Sequence, residues 1–392
     1  MLGKLTVRPM LNFSKYCMIS AGIWRLPLPT DNPIFNKIYI FYSAVVNIYF
    51  PLLVSSMCIQ FVIVFIDENA DKSSGKLFKH FSYLITLACV EVTTILCQSA
   101  RVKDIVRYIM EEEERIIRSE DEEFLQHHYE QLHYAKKVNK YLFAVSFGVA
   151  VSMAFDNLHR RFQVEKFNRN HYERMVKPLP YELYYFELDR EKYDKVLLAI
   201  SYVTIVVTGF LVASTKMIFI SCIIFVQSAL TGLQIRFRKV AFSEDYLKRL
   251  AFEHQRIVAF ADKLNEAMKF LILLEYLLNS MNIAAVSIQF ISMDLEFTPI
   301  FYFCYLCVQT FTLGWMANEI KIQSLTLADA LYATQWYDQR IEVRKLLLTM
   351  ITRAQKPLVL TNGPFDAMTT ESTLRILKAS YSYISLMLNN YQ

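Results

Sequence analysis

Hydrophobic and polar positions fall in long blocks along this chain. Residues 38–66 carry no charged side chain over 29 positions, and a run of ~18 or more apolar residues marks a helix that crosses a bilayer. Pro51 lies inside it, tolerated in a membrane helix when neighbours satisfy the freed carbonyl. The same pattern predicts spans at Phe81–Ala100, at Tyr141–Phe155 with flanking extensions, at Phe270–Met293 and at Phe297–Asn318. Between the third and fourth of these lies Val196–Ile235, broken only by Lys216. It reads either as a hairpin or as one helix of ~60 Å. No Pro and no turn cluster interrupts residues 200–230, which favours the single helix. The last stretch follows Pro357 and Pro364 and carries no charge beyond Lys378. There Ser382, Ser385, Leu386 and Asn389 recur at helical spacing, a poor face for lipid and a good one for water. It is expected to line a pore.

The connecting blocks are polar. Residues 1–37 hold an amphipathic piece, Met10 to Trp24, suited to the membrane interface. Residues 101–140 and 236–265 are strongly charged, and Lys321–Lys356 reads as one polar amphipathic helix. With seven spans, alternate segments fall on one side. The N-terminal side collects 26 Lys and Arg against 11 on the other, which puts the N-terminus in the cytoplasm and the C-terminus outside. The fold class is therefore an all-α membrane protein of seven transmembrane helices with a long fourth helix.

Composition changes this little. The chain is 54% hydrophobic and 20% charged, with 8 Gly and 10 Pro, as long helices require. Seven Cys, an odd number mostly in apolar stretches, act as small packing residues. No segment has the form of a cleaved signal peptide. No Gly-rich phosphate loop, zinc-protease helix or nucleophile elbow is present, so the chain is not expected to be an enzyme, to use a cofactor or to bind nucleic acid. His127, His128 and His133 do not converge on one helix face and make no metal site. Asp189-Arg190 lacks the context of a G-protein-coupled receptor motif. Glu91 and Glu275 are carboxylates inside spans and so functional candidates by default; the favoured alternative is structural, with Glu91 hydrogen-bonded towards the bundle and Glu275 near the inner interface.

The C-terminal third carries Ser324, Ala328, Tyr332 and Trp336, then Lys345-Leu346-Leu347-Leu348 and Ile351-Thr352-Arg353-Ala354-Gln355-Lys356-Pro357. Next come Leu360-Thr361-Asn362-Gly363 and Ile376-Leu377-Lys378-Ala379-Ser380-Tyr381-Ser382-Tyr383. This order resembles the carboxyl end of insect odorant receptors. Chain length, span count and the long fourth helix agree, as does His254 at the start of the fifth span. The related gustatory receptors end on a Thr-Tyr…Gln-Phe pattern, whereas here Ser382-Tyr383 stands without Gln-Phe. The co-receptor's long insertion between spans four and five is also missing, so a tuning subunit is implied.

The resemblance implies an odorant-gated, non-selective cation channel in the plasma membrane of olfactory sensory neurons, a heterotetramer with the co-receptor. The alternative is a gustatory-type homomeric channel. It implies three regions: a six-span sensor with its interfacial helix (1–320), a cytoplasmic inter-subunit anchor (321–356) and a pore helix (365–392). By position relative to Tyr383 the hydrophobic gate falls on Leu386, with Ser382 on the same face and Asn389 and Asn390 at the outer mouth. Arg375 and Lys378 are expected below the narrow part. The odorant pocket is implied in the outer half of spans two, three, four and six. Its candidates are Tyr83 and Leu87, Phe147 and Val151, Tyr202 and Ile205, and Tyr302 and Tyr305.

Overall fold

Each apolar block folds as helix in the computed structural model, which describes residues 9–24, 26, 28, 32–66, 74–118, 121–171, 175–184, 188–238, 244–292 and 296–391. The helices are α1 (Asn12–Ser20), α2 (Pro33–Ile66), α3 (Ser74–Cys97), α4 (Ala100–Ile117), α5 (Glu122–Asn170), α6 (Asp194–Arg238), α7 (Glu244–Ser292), α8 (Phe297–Tyr332), α9 (Ile341–Ala354) and α10 (Thr370–Tyr391). Six of them, α2, α3 and α5 to α8, are long and apolar enough to cross a membrane. The 22 residues of α10 reach about 33 Å, enough for a seventh crossing.

The 40-residue ambiguity resolves as one helix. α6 runs unbroken for 45 residues, about 67 Å. Its first half exposes Val196, Ile200, Val203 and Val206, as does α2 with Ile40, Phe41, Ile48 and Leu52. These apolar faces suit lipid. From Leu211 to Phe237 nearly every side chain of α6 is buried by α5, α7 and α8. α6 is thus a membrane helix at one end and the axle of a protein core at the other.

Two boundaries differ from the sequence pattern. α3 begins seven residues before Phe81 and stops at Cys97, where Gln98 and Ser99 turn the chain and the Ser99 hydroxyl accepts from the Val102 N–H at 3.4 Å. The amphipathic block Lys321–Lys356 is not one helix. α8 passes straight through position 321 to Tyr332, because Glu319 and Lys321 are charges without any helix-stopping residue. The 3-10 turn Trp336–Asp338 then reverses the chain so that α9 packs back on α8. The turns proposed at Asp67–Lys76 and Asp294–Glu296 lie largely outside the described residues, as do Pro27 and Pro29.

α1 docks against α6 and is held at several points. Ser14 and Ser221 hydroxyls lie 3.2 Å apart, and the Tyr39 hydroxyl donates to the Trp24 carbonyl at 2.9 Å. The Met10 N–H donates to Glu113 Oε1 on α4 at 2.7 Å, with His128 Nε2 3.9 Å from the same oxygen. Burial pushes the Glu113 carboxyl up to about 7, against the pull of the Met10 N–H. Its folded-state value lies above the ordinary 4.5, so the folded state holds this proton more tightly than the unfolded chain. Stability contributed by the protonated form is complete below about 4.5 and is lost as pH rises towards 7. Glu113→Gln is expected to flatten that slope and to stabilise the protein at pH 8. Thermal unfolding of the purified receptor against pH checks this; an unchanged slope refutes it.

Between α9 and α10 the chain forms a two-stranded hairpin, β1 (Thr361–Asn362) with β2 (Asp366–Ala367), in antiparallel register. Gly363 has φ +60, and a Cβ there would lie 2.7 Å from Leu273 Cδ2. Its N–H donates to the Lys269 carbonyl at 2.9 Å, and the Thr361 N–H donates to Asn265 Oδ1 at 2.8 Å. The Asn362-Gly363 turn thus pins the start of α10 to α7. Gly363→Ala meets both a left-handed backbone and a packed neighbour, so a loss of more than about 1 kcal/mol is expected. Chemical-denaturant titration of purified protein would measure it.

Candidate functional site

α10 packs on α7 and α8, and its two faces differ. Thr373 and Ser380 are fully buried, whereas Leu374, Arg375, Lys378, Tyr381, Ser382 and Ser385 are exposed. These exposed positions follow helical spacing and make one continuous stripe along the helix. Apart from Arg375, no side chain of this stripe bonds another element among the described residues. Ser382 lies on this exposed stripe. Leu386, Asn389 and Asn390 continue the helical backbone, but their side chains lie outside the described residues. Arg375 pairs with Asp366 of the hairpin, so the ion pair offsets one of the two basic charges on the stripe. Asp366 was not singled out from sequence, since its nine-residue separation matches no helical period.

The base of α10 is tightly fitted. A Cβ at Gly314 of α8 would lie 2.9 Å from Thr373 Cβ, so α8 and α10 touch backbone to side chain. The Thr373 hydroxyl donates to the Thr369 carbonyl at 2.9 Å and accepts from the Tyr276 hydroxyl of α7 at 3.0 Å. The residue beside Tyr276 is Glu275, which forms an ion pair with Lys216 of α6. Both side chains are almost fully enclosed, at 2% and 11% exposure. Each was visible in the sequence as a lone charge in an apolar block; their pairing was not drawn. The signal was there, because intramembrane charges are stable chiefly when paired. Glu91 is half-buried on α3 and takes no part in this pair.

The aromatic candidates divide. Tyr302 and Tyr305 of α8 are buried and stacked, ring centroids 6.3 Å apart. The Tyr302 hydroxyl bonds Thr86 of α3, and Asn282 Nδ2 of α7 donates to Tyr302 Oη at 3.2 Å and to Thr86 Oγ1 at 3.3 Å. Asn282 Oδ1 is buried with no hydrogen-bond partner among the described residues. Leu87 and Ile205 are enclosed in the main core. Tyr202 donates to Asn157 Oδ1 at 3.2 Å. Tyr83 meets Tyr181 edge-on at 5.5 Å, so the segment after α5 dips into the bundle between helices.

Phe147 and Val151 do not join this group. They are 44% and 52% exposed, on the outward face of α5. Ser146 and Val149 occupy the inward one. The choice of face within a uniformly apolar block carried no periodic signal. Asn282, from the fifth span, was missed because a single polar residue in an apolar helix is ordinarily a satisfied packing residue.

Charged groups close this end of the bundle. Lys79 Nζ lies 3.0 Å from Glu296, Arg160 contacts Glu296 at 3.4 Å, and His80 faces Glu182 at 3.3 Å. The His80 contact holds the Glu182 carboxyl down at about 2. The Thr298 N–H and hydroxyl both donate to Asp156 Oδ2 at 2.6 Å.

Six long apolar helices around an apolar core with buried polar groups, and a last helix with an exposed polar stripe, define a multi-pass helical membrane protein. The family model described as 7tm Odorant receptor matches residues 76–381, and the chain belongs to that family. It is a receptor, not an enzyme. Odorant receptor Or2 of Anopheles gambiae is 34% identical over 151 residues, covering 37% of this chain and 39% of that one. Odorant receptor 10 of Aedes albopictus is 30% identical over 146 residues, covering 36% and 39%. The chain thus aligns with about two-fifths of the length of these relatives. The fold is that of the insect olfactory receptor OR5 from Machilis hrabei, with TM-score 0.76 at 16% identity over 96% of this chain and 97% of that one. The same receptor in complex with eugenol gives TM-score 0.74 over 97% of each.

Proposed function

We propose that the chain is the tuning subunit of an odorant-gated, non-selective cation channel. It assembles with the odorant co-receptor as a heterotetramer in the plasma membrane of olfactory sensory neuron dendrites. The exposed stripe of α10 carries this reading: Lys378, Tyr381, Ser382 and Ser385 need water or other subunits against them, and a shared axial pore supplies both. The N-terminus lies in the cytoplasm and α10 ends outside. Residues 321–356, the end of α8 with α9, form the anchor between subunits. Leu386 closes the pore as an apolar ring that gates by dewetting, and Asn389 and Asn390 sit at the outer mouth.

The odorant is a small apolar volatile with one hydrogen-bonding group. It binds beside Tyr302, Tyr305, Thr86 and Asn282, with Tyr83, Leu87, Tyr202 and Ile205 behind them, and Asn282 Oδ1 accepts its hydroxyl. Binding opens the pore only through higher affinity for the open arrangement. That site and α10 share α7 and α8, which supply the physical connection.

Recording an odour panel from cells that express this chain with and without the co-receptor tests the reading. Odour-evoked cation currents are expected only with both chains. Currents from this chain alone would instead support a homomeric channel, as in gustatory-type receptors. Leu386→Ala is expected to raise basal current; unchanged gating and permeation would count against a pore role.

A further inference from the structure

A cavity lies where α4, α5, α6 and α7 meet, away from the aromatic cluster. It is open to solvent at the exposed Arg115 and has a volume of about 190 Å³. By helix rise Arg236 sits about 30 Å along α6 from Lys216, so in the proposed orientation the cavity opens to the cytoplasm. Its walls are of two kinds. Tyr108 and Phe260 stack at 4.5 Å and 15°, and Phe225 meets Phe260 edge-on at 5.6 Å. Against these flat apolar surfaces stand three guanidinium groups and two carboxylates.

The charges do not balance. Arg236 pairs with Glu253, and Arg256 pairs with Glu112. Arg115 has only a share of Glu112, at 3.4 Å. One carboxylate therefore serves two guanidinium groups, and the lining keeps one positive charge in excess. Arg236 is also held in place: its guanidinium lies 4.5 Å over the Phe124 ring. That ring lies directly against the α6 backbone at Gly232, where any Cβ would collide with it. With its side chain only 16% exposed, Arg236 has a buried Nε–H with no hydrogen-bond acceptor among the described residues. A buried donor left unpaired is unusual and calls for an acceptor.

From this combination we infer that the cavity is a binding site for a small aromatic anion, a single ring bearing a carboxylate. The volume sets the size, since an apolar protein cavity of ~150 Å³ accepts benzene. The ring lies against Phe225 and Phe260, and the carboxylate accepts from Arg236 and Arg115 in charge-assisted hydrogen bonds. Such a ligand bridges α4 to α6 and α7. It is a separate site from the odorant cluster and holds whether or not the channel reading is correct.

Equilibrium dialysis of purified full-length receptor with radiolabelled benzoate tests the inference, with benzyl alcohol as the neutral counterpart. Saturable benzoate binding is expected, and benzyl alcohol should bind at least about tenfold more weakly. Arg236→Gln and the exposed Arg115→Gln should each weaken benzoate binding, the first by about tenfold. Ala229→Phe, which fills the cavity, should abolish it. Arg115→Gln leaves the core untouched, so it decides the matter where Ala229→Phe fails to fold. No saturable benzoate binding, equal binding of benzyl alcohol, or benzoate binding unaffected by Arg115→Gln would overturn the assignment.

Discussion

Glu275→Gln is expected to destabilise the receptor by about 3–5 kcal/mol, the loss typical when one partner of a buried ion pair is removed. Lys216 then stays enclosed between α6 and α7 with no counter-charge, since its side chain is 11% exposed. Lys216→Met should cost a similar amount by leaving Glu275 alone. The double replacement Lys216→Met with Glu275→Leu should recover most of the loss, because a well-packed apolar pair avoids both desolvation penalties. A double-mutant cycle on unfolding of detergent-purified protein measures the coupling. Additive single losses would show that the two residues do not act as a pair. The pair adjoins Tyr276, whose hydroxyl donates to Thr373 at the base of α10. On the channel reading, the double variant is therefore also expected to alter gating even where its stability is restored.

The second large effect is expected at Gly314→Val. Even one added carbon at this position would lie 2.9 Å from Thr373 Cβ and 3.2 Å from Thr373 Cγ2. Thr373 cannot swing aside without losing both hydroxyl bonds, and it is fully buried. The first turn of α10 must therefore move off α8. Gly314→Ala should cost about 1–3 kcal/mol, the usual range for overpacking, and Gly314→Val more. On the channel reading, surface expression with odour-evoked current is the readout. Gly314→Ala should reach the membrane and lose most of its evoked current, while Thr373→Ala in the same chain should restore part of it. Full current in Gly314→Ala would mean that the α8–α10 contact does not transmit opening.

Much of the layout was legible in the residues alone. Charge-free blocks marked the spans because a bilayer admits few charges. The lack of Pro and turn residues in 200–230 marked α6 as one rod. Ser382 and its neighbours marked the odd face of α10. The aromatic cluster was legible only in part. Tyr302 and Tyr305 are brought together, while Phe147 and Val151 turn outward, because inside an apolar block both faces look alike. The block Lys321–Lys356 reads as one helix in sequence because its amphipathic pattern continues across the turn at Trp336.

What the sequence determined by itself, then, was which segments cross the membrane and which meet water. That choice depends on transfer free energies, which add up residue by residue. The tertiary structure alone decided the pairings: Lys216 with Glu275, Arg375 with Asp366, Gly314 against Thr373, and Asn282 with Tyr302 and Thr86. Each joins residues from separate elements. Contacts of that kind depend on how helices rotate and slide against one another, which no local pattern encodes.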